Sequence, residues 1–489
     1  MKQDHIIQKV FVEITVSNKE KAYRIKDDIN SFLSIDVFPE IEKYINDLEW
    51  KLEGQTLQIP RMELNLEVKN SSLNTELKDK IAQLFKEELS ETAKRGETSE
   101  QETENNSKAF WIENHEKMVQ TFIYFLENGY MPWWNSDKKS IGFLETQTFD
   151  TLISAANFSK NIISVLFKQH VQDRIINQLS DEQIAQLCLA ILENKELKIN
   201  LKADTIRNIS KLNHPDRIIL WQLVLSMLSE YFRSSSSNLQ EYLLQQILKA
   251  KPAGFSKTKD SHQSWKTVVE IFPFIKENEI FESIQSIQTI ESSKKNIPNH
   301  DENSRTLEDI SNQNNAAIHD DAIANEGQYI RNAGLILIHP FMKTFFEHCE
   351  LFDPETQRLT DPELCAHLLH YIATGTTNAP EYDMAFEKFL CNIPMNQTIN
   401  RHIKLSRRHK TQAKNVIESV QHNWNPMKNS SAALLQNEFF QRSGKLMVTD
   451  HDYTLTVERK TQDILLEKLA WGIGLVKLPW KEKFMFVNW

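Results

Sequence analysis

Val457–Trp489 reads VERKTQDILLEKLAWGIGLVKLPWKEKFMFVNW, and this ending decides the fold class. Val457 closes an alternating run, Tyr453, Leu455, Val457, that follows the turn residues Thr449, Asp450, His451 and Asp452. Leu446 and Val448 precede the turn, so Leu446–Val457 is expected to be a hairpin with one buried face. Ile464, Leu465 and Leu469 then fit a short helix, and Ile473, Leu475, Leu478, Trp480, Phe484 and Phe486 carry apolar and aromatic residues into terminal strands. Upstream, NAGLILIHP at Asn332–Pro340 and HYIATG at His370–Gly375 are similarly apolar. Leu364, Leu368, Leu369 and Ile372 lead to a helix stop at Gly375, and Ala432, Leu435, Phe439 and Phe440 suggest a helix ending near Gly444.

Working outward, Phe149 to Ala250 is dominated by helical stripes: Ile162, Ile163, Leu166, Phe167; then Ile184, Leu187, Cys188, Ile191, Leu192; then Ile219, Leu223, Val224, Met227, Leu228. Asp181 is expected to take part in a helix cap, and Pro215 to lie near a helix start. An aromatic elbow of Tyr130, Pro132, Trp133 and Trp134 follows a helix that stops near Gly129. At the start of the chain, Val10, Val12, Ile14 and Val16 alternate with more polar neighbours, as do Met62, Leu64, Leu66 and Val68. Both runs predict strands, with helical stripes between them that Pro39 divides.

The expected architecture is therefore α+β and predominantly α-helical. Its parts are an N-terminal α+β unit at 1–90, a polar linker at 91–108 and a helical middle at 109–290. A disordered linker at 291–328 precedes a C-terminal helical domain at 329–489 with a β-hairpin and terminal strands. The linkers are assigned on composition, since ETAKRGETSEQETENNS and the Asn-, Asp-, Glu- and Ser-rich run after Glu291 have too little apolar surface to offset ordering. A chain of 489 residues exceeds one ordinary core.

Lys plus Arg number 57 against 67 for Asp plus Glu, a formal charge of -10 that argues against general nucleic-acid binding. The one cationic run, Arg401, His402, Lys404, Arg407, Arg408, His409 and Lys410, reads as a solvated helix face. Cys188, Cys349, Cys365 and Cys391 read as reduced, buried thiols. No secretory leader pattern and no run of about 18 apolar residues appears, so a soluble chain made in the cytoplasm, without stable membrane insertion, is expected.

Chemical motifs are weak. His348, Cys349, Cys365, His367 and His370 come nearest to a metal pattern, but their spacing suits buried thiols and hydrogen-bonded imidazoles better than zinc. A metal-dependent hydrolase would require those five to converge. Asp361, Glu363, Glu381, Asp383 and Glu387 are expected at solvated helix ends. The glycines form no dinucleotide or phosphate-loop pattern. No catalytic, metal or cofactor residue is assigned. The aromatic and apolar residues Trp133, Trp134, Leu335, Phe341, Trp471, Leu475, Leu478, Trp480 and Trp489 are candidate protein contacts or structural anchors.

The runs NAGLILIHPF, HYIATG, EYDMAFEKFLCNIP, FFQRSGKL, LTVERKTQDILLEKLAWGIGLVKLPW and FVNW, with the chain from His5 to Val16 and Pro60 to Val68, carry a resemblance. The sequence resembles the tape measure protein family of bacterial contractile injection systems. That resemblance implies a phage-tail-like particle in which a tube and sheath assemble on a baseplate, and a noncatalytic role in assembly or tube-length control. It also implies tube, baseplate or tail-terminating proteins as partners, with cargo binding or self-association besides, and incorporation into a particle. A chaperone or adaptor for tube, baseplate or cargo proteins is the alternative. A fully helical chain of this length would span roughly 700 Å, but the polar stretches and strand runs interrupt any single rod.

Overall fold

Asn18 turns the first helix on: its side-chain oxygen accepts the Glu20 amide at 2.9 Å, satisfying a donor that has no intrahelical partner. The computed structural model describes residues 6–16, 18–48, 55–67, 73, 75–97, 110–135, 142–192, 197–233, 238–250, 261–276 and 327–489. By proximity the chain forms two units, Met1–Gln120 and Thr121–Trp489.

In the first unit, α1 (Lys19–Phe32) runs through a wider π turn at Leu33–Val37 into α2 (Phe38–Leu48). Pro39, which has no N–H to donate, follows directly on the π turn, where the helical hydrogen-bond pattern is already shifted. Phe32, Val37 and Ile41 are buried against Leu77, Ile81 and Phe85 of α3 (Thr75–Glu97). Strand β1 (Gln55–Gln58) pairs antiparallel with β2 (Phe110–Glu113), setting Leu57 opposite Trp111. This corrects the strand assignment. Residues 10–16 and 61–67 form no helix and join no ladder among the described residues, and Val68 lies outside them. Alternation encodes extended backbone with distinct faces, whereas a ladder also requires a neighbouring edge.

The second unit begins within α4 (Asn114–Asn128), which stops at Gly129 with φ +83°. Helices α5 (Thr146–Ile153), α6 (Phe158–Leu166), α7 (Gln169–Gln178) and α8 (Asp181–Ile191) follow. Then come α9 (Ala203–Ile209), α10 (His214–Arg233), α11 (Leu239–Ala250) and α12 (Ser261–Ile271). Phe122 anchors this layer, with the rings of Phe143, Phe149 and Phe158 at 5.7, 6.3 and 6.4 Å. The cap of α8 is Ser180, in a reciprocal capping box with Gln183. Asp181 is instead the first helical residue, and its carboxylate accepts from Arg217 Nε and Trp221 Nε1, both at 2.6 Å, and from Ser210 Oγ at 2.8 Å.

The ending opens with β3 (Gln328–Ile330), a 3-10 turn at Ala333–Ile338, and α13 (His339–His348). A short β4–β5 pair (Phe352–Asp353, Arg358–Leu359) leads to α14 (Pro362–Thr374). Asp361 caps α14, Pro362 occupies its first turn, and Gly375 ends it at φ +72°. After α15 (Ala385–Leu390), α16 (Arg407–Asn423) and α17 (Ala432–Leu435), a π turn ends at Phe440. Gly444 thus begins β6 (Gly444–Val448) and does not end a helix.

Strands β6 and β7 (Tyr453–Val457) make the expected hairpin, with Leu446 opposite Leu455. With β8 (Leu475–Val476) and β9 (Met485–Asn488) they form a sheet of order β3-β6-β7-β9-β8, in which β7 and β9 are parallel. Leu446, Leu455 and Val487 line its buried face. The segment around Ile464 is a 3-10 helix, Thr461–Lys468, with Ile464 exposed. Gly334 lets the Ala333–Ile338 turn touch the backbone of the π turn at Gln436–Phe440: a Cβ there would sit 1.7 Å from the Phe439 carbonyl oxygen. Among the described residues, no helix is long and apolar enough to cross a membrane.

Candidate functional site

Glu381 and Glu387, expected at solvated helix ends, are instead completely buried. Glu381 opens a 3-10 turn, Glu381–Asp383, just before α15, and its carboxylate lies between two buried cations. Lys388 Nζ donates to Glu381 Oε1 at 2.6 Å, while Arg174 of α7 donates from Nε to Oε2 at 3.1 Å. Thr398 Oγ1 adds a donor at 3.3 Å. Backbone carbonyls take further protons of the cations: Arg174 donates to Leu126 and Asn396, both at 2.5 Å, and Lys388 to Met395 at 2.7 Å and Gln397 at 2.5 Å. A buried ion group is tolerated only when its spare donors and acceptors are satisfied in this way. Burial holds the Lys388 pKa down, and the Glu381 charge opposes that shift.

This cluster ties the middle helices to the C-terminal sequence. Gln178 at the end of α7 accepts the Glu381 amide at 2.9 Å and donates to the Ile399 carbonyl at 2.7 Å. The Arg401 amide donates to the Asn177 carbonyl at 3.1 Å. Gly129 closes over the ions: a Cβ there would lie 2.5 Å from Glu381 Oε1 and 2.9 Å from the Met395 carbonyl oxygen. Arg401 is thus a joint between segments and no part of a solvated helix face, since α16 starts only at Arg407. Arg408 does lie on the surface, paired with Glu350 at 2.8 Å.

A second buried group surrounds Asn332, whose backbone is left-handed at φ +56°. Asn332 Nδ2 donates to Glu387 Oε1 at 2.7 Å, and His370 Nδ1 meets the same oxygen at 2.9 Å. Asp383, its carboxyl pKa raised by burial and opposed by Arg331, pairs with that arginine at 3.0 Å. His367 on the same helix as His370 takes a different partner, Nε2 donating to the Asn400 carbonyl at 2.9 Å. Burial pushes its pKa down to about 4. His348 is exposed, and burial raises the Cys349 thiol to about 11 and pushes Cys365 up as well. All four cysteines are free and buried. Among the described residues, no three of the His, Cys, Asp and Glu side chains are arranged to hold a metal ion.

The aromatic candidates separate by environment. Trp480 is buried between the rings of Phe346 at 5.4 Å and Phe352 at 5.8 Å, and its Nε1 donates to the Leu390 carbonyl at 2.7 Å. Trp471 stands edge-on to Phe341 at 5.4 Å and donates to the Leu337 carbonyl at 3.1 Å. Trp489 Nε1 donates to Asp463 Oδ2 at 3.1 Å, a carboxylate shared with the buried Arg442. Leu335 and Leu478 are buried. Trp133 and Trp134 are half-buried and edge-on at 5.8 Å, with Tyr124 5.5 Å from Trp134. Leu475 faces solvent opposite Phe486, and Phe484 is exposed beside them.

Sequence reasoning missed Arg174, Lys388, Trp424, Arg442 and Lys481. The isolated charges inside the apolar run EYDMAFEKFLCNIP were the available signal for Glu381, Glu387 and Lys388. Trp424 is fully buried and donates from Nε1 to the Leu465 carbonyl at 2.9 Å. Lys481 Nζ lies 3.7 Å from the Phe389 ring centroid and 4.9 Å from that of Tyr453, with burial lowering its pKa to about 7.

The arrangement can hold two long stretches of sequence in one body through charges closed to solvent. The family described as contractile injection system tape measure protein matches residues 4–489, almost the entire chain. Neither a curated protein nor a solved structure matches it.

Proposed function

Because this chain belongs to the contractile injection system tape measure protein family, we propose that it is a noncatalytic assembly component of such a particle. Its partners are tube, baseplate or tail-terminating proteins, and it acts from the cytoplasm before incorporation. The observation that carries this reading is the extent of the match, which spans both units. The closed Arg174–Glu381–Lys388 cluster supports it, since charges sealed from solvent fix architecture and do not meet a substrate.

Length control in this reading differs from a continuous helical rod. The longest described helix, Thr75–Glu97, has 23 residues, or roughly 35 Å at 1.5 Å per residue. We take the segment 291–327 as a spacer, one residue shorter than composition suggested because Gln328 opens β3, and the C-terminal body as a docking module. The test is to lengthen and shorten residues 291–327 and measure particle lengths by electron microscopy. Lengths that track the insertions support direct ruling; particles of constant length leave an assembly hub and eliminate the ruler.

The half-buried Trp133 and Trp134 pair and the exposed Leu475, Phe484 and Phe486 favour a second reading, an adaptor for tube, baseplate or cargo proteins. Pulldown with each protein expressed separately tests it. Reproducible binding outside the particle supports the adaptor, and no binding under assembly conditions removes it.

A further inference from the structure

Lys481 is 6 % exposed, yet among the described residues no carboxylate pairs with it. Its Nζ donates to Asn392 Oδ1 at 3.0 Å and faces the rings of Phe389 and Tyr453, at 3.7 and 4.9 Å from their centroids. An ammonium has three protons to donate, and here one carboxamide oxygen and two ring faces serve it. The titratable groups around it do not compensate its charge. Cys391, at the end of α15, has its thiol pushed up by burial and stays neutral. Glu387 of α15 is committed to Asn332 and His370. Tyr453 on β7 contributes its ring, and Lys483 adds a second cation, donating to the Thr449 carbonyl at 2.8 Å with its Nζ 5.7 Å from the Tyr453 centroid. Glu482 is exposed. The amine thus sits where the end of α15, the start of β7 and the turn from Trp480 into β9 meet. Asn392 Nδ2 donates to the Trp480 carbonyl at 2.5 Å, and the Tyr453 amide to the Phe484 carbonyl at 2.9 Å, so the same three segments are also tied directly.

We propose that Lys481 is a pH-sensitive latch on the C-terminal strand: as a neutral amine it seals residues 481–484 against α15 and β7, and on taking up a proton it draws toward water and loosens β9. A buried charge without a counter-charge favours any state in which the ammonium reaches water, and loss of the proton removes that bias. In the closed chain burial lets Lys481 give up its proton at about pH 7, against 10.5 for the amine in water. The open state therefore binds more protons between those two values. Closure strengthens as pH rises through that window and is weakest below it, and the open population should fall roughly tenfold per pH unit above about pH 7. This inference reaches past the assembly role above and stands without it, since it concerns the fold of this chain alone.

The test is amide hydrogen exchange of the full chain, read as protection factors so that the intrinsic pH dependence of exchange is divided out. The reporters are the amides of Tyr453 and Val487, which donate to the Phe484 and Gly474 carbonyls, both at 2.9 Å. The range runs from about pH 6 to about pH 8.5, short of the pH at which thiols ionise freely in water. Wild-type protection at both amides is expected to be level up to about pH 7 and then to rise roughly tenfold per unit. Lys481→Met keeps an unbranched stem and removes the charge, and is expected to hold high protection throughout. Amides of α10 are expected to show the same protection in both proteins, because the latch acts locally. A second readout is the carbon-13 shift of Lys481 Cε, identified by its absence from the variant, which is expected to titrate near pH 7. Flat wild-type protection, a Lys481→Met profile that follows wild type, equal changes in α10, or a Lys481 signal that titrates near 10.5 would overturn the proposal.

Discussion

Replacing Glu381 by Gln tests the buried cluster that joins α7 to the C-terminal sequence. The substitution keeps the side-chain shape and deletes one charge. Arg174, Glu381 and Lys388 side chains are all 0 % exposed, so water cannot compensate the change. Two cations that now share one carboxylate would face each other, with their backbone acceptors unchanged. Breaking a buried ion pair in this manner costs about 3–5 kcal/mol. At about 2 °C per kcal/mol for a large unit, the melting temperature should fall by roughly 6–10 °C. Urea titration and thermal melting followed by circular dichroism measure both quantities. Lys388→Met alone also destabilises, because it orphans the Met395 and Gln397 carbonyls. In the double variant, the second change removes a cation that the first left uncompensated, so the combined cost should be smaller than the sum. A melting temperature for Glu381→Gln within about 1 °C of wild type, or strict additivity in the double variant, would refute the reasoning.

Gly129→Ala should cost at least about 2 kcal/mol, because it adds a left-handed backbone penalty to a clash with Glu381 and Met395. Gly375→Ala should cost only about 1 kcal/mol, since its Cβ meets nothing closer than Gln436 at 3.7 Å; equal costs in urea would contradict the close approach at Gly129. His367 stays neutral in the folded chain down to about pH 4, while the unfolded imidazole protonates near 6.5. The unfolded state therefore binds more protons in that window, and stability should be lost as pH falls from 6.5 to 4, by up to roughly 3 kcal/mol. His367→Gln keeps a donor for Asn400 and should flatten that acid limb; an unchanged pH profile rejects the assignment. Deleting Phe484–Trp489 removes β9 from between β7 and β8, with its buried Met485 and Val487, and should cost several kcal/mol, on the order of 2–5. Unaltered melting and soluble yield would contradict it.

The C-terminal hairpin, the Gly375 stop and the buried cysteines were legible because each follows from local chemistry: turn residues between alternating runs, a left-handed cap, and sparse thiols in apolar segments. The N-terminal strands were not legible in place. Alternation in Val10–Val16 and Met62–Val68 predicted strands, but pairing depends on which edge is near, and among the described residues the ladder formed at Gln55–Gln58 with Phe110–Glu113. The carboxylates misled for a related reason. First-turn acids are usually solvated, and the partner that draws Glu381 inward, Arg174, lies 207 residues away in sequence. No local pattern carries such a contact. Trp133, Trp134, Trp471, Trp480 and Trp489 were singled out by composition, yet their division between indole N–H groups tied to protein oxygens and half-open rings depends on tertiary packing alone.

Electron microscopy of particles assembled with and without this chain tests its assembly role most directly. The account predicts that omission abolishes complete particles or broadens their length distribution, and that the wild-type chain supplied in trans restores both. Particles of unchanged number and length in its absence would contradict it.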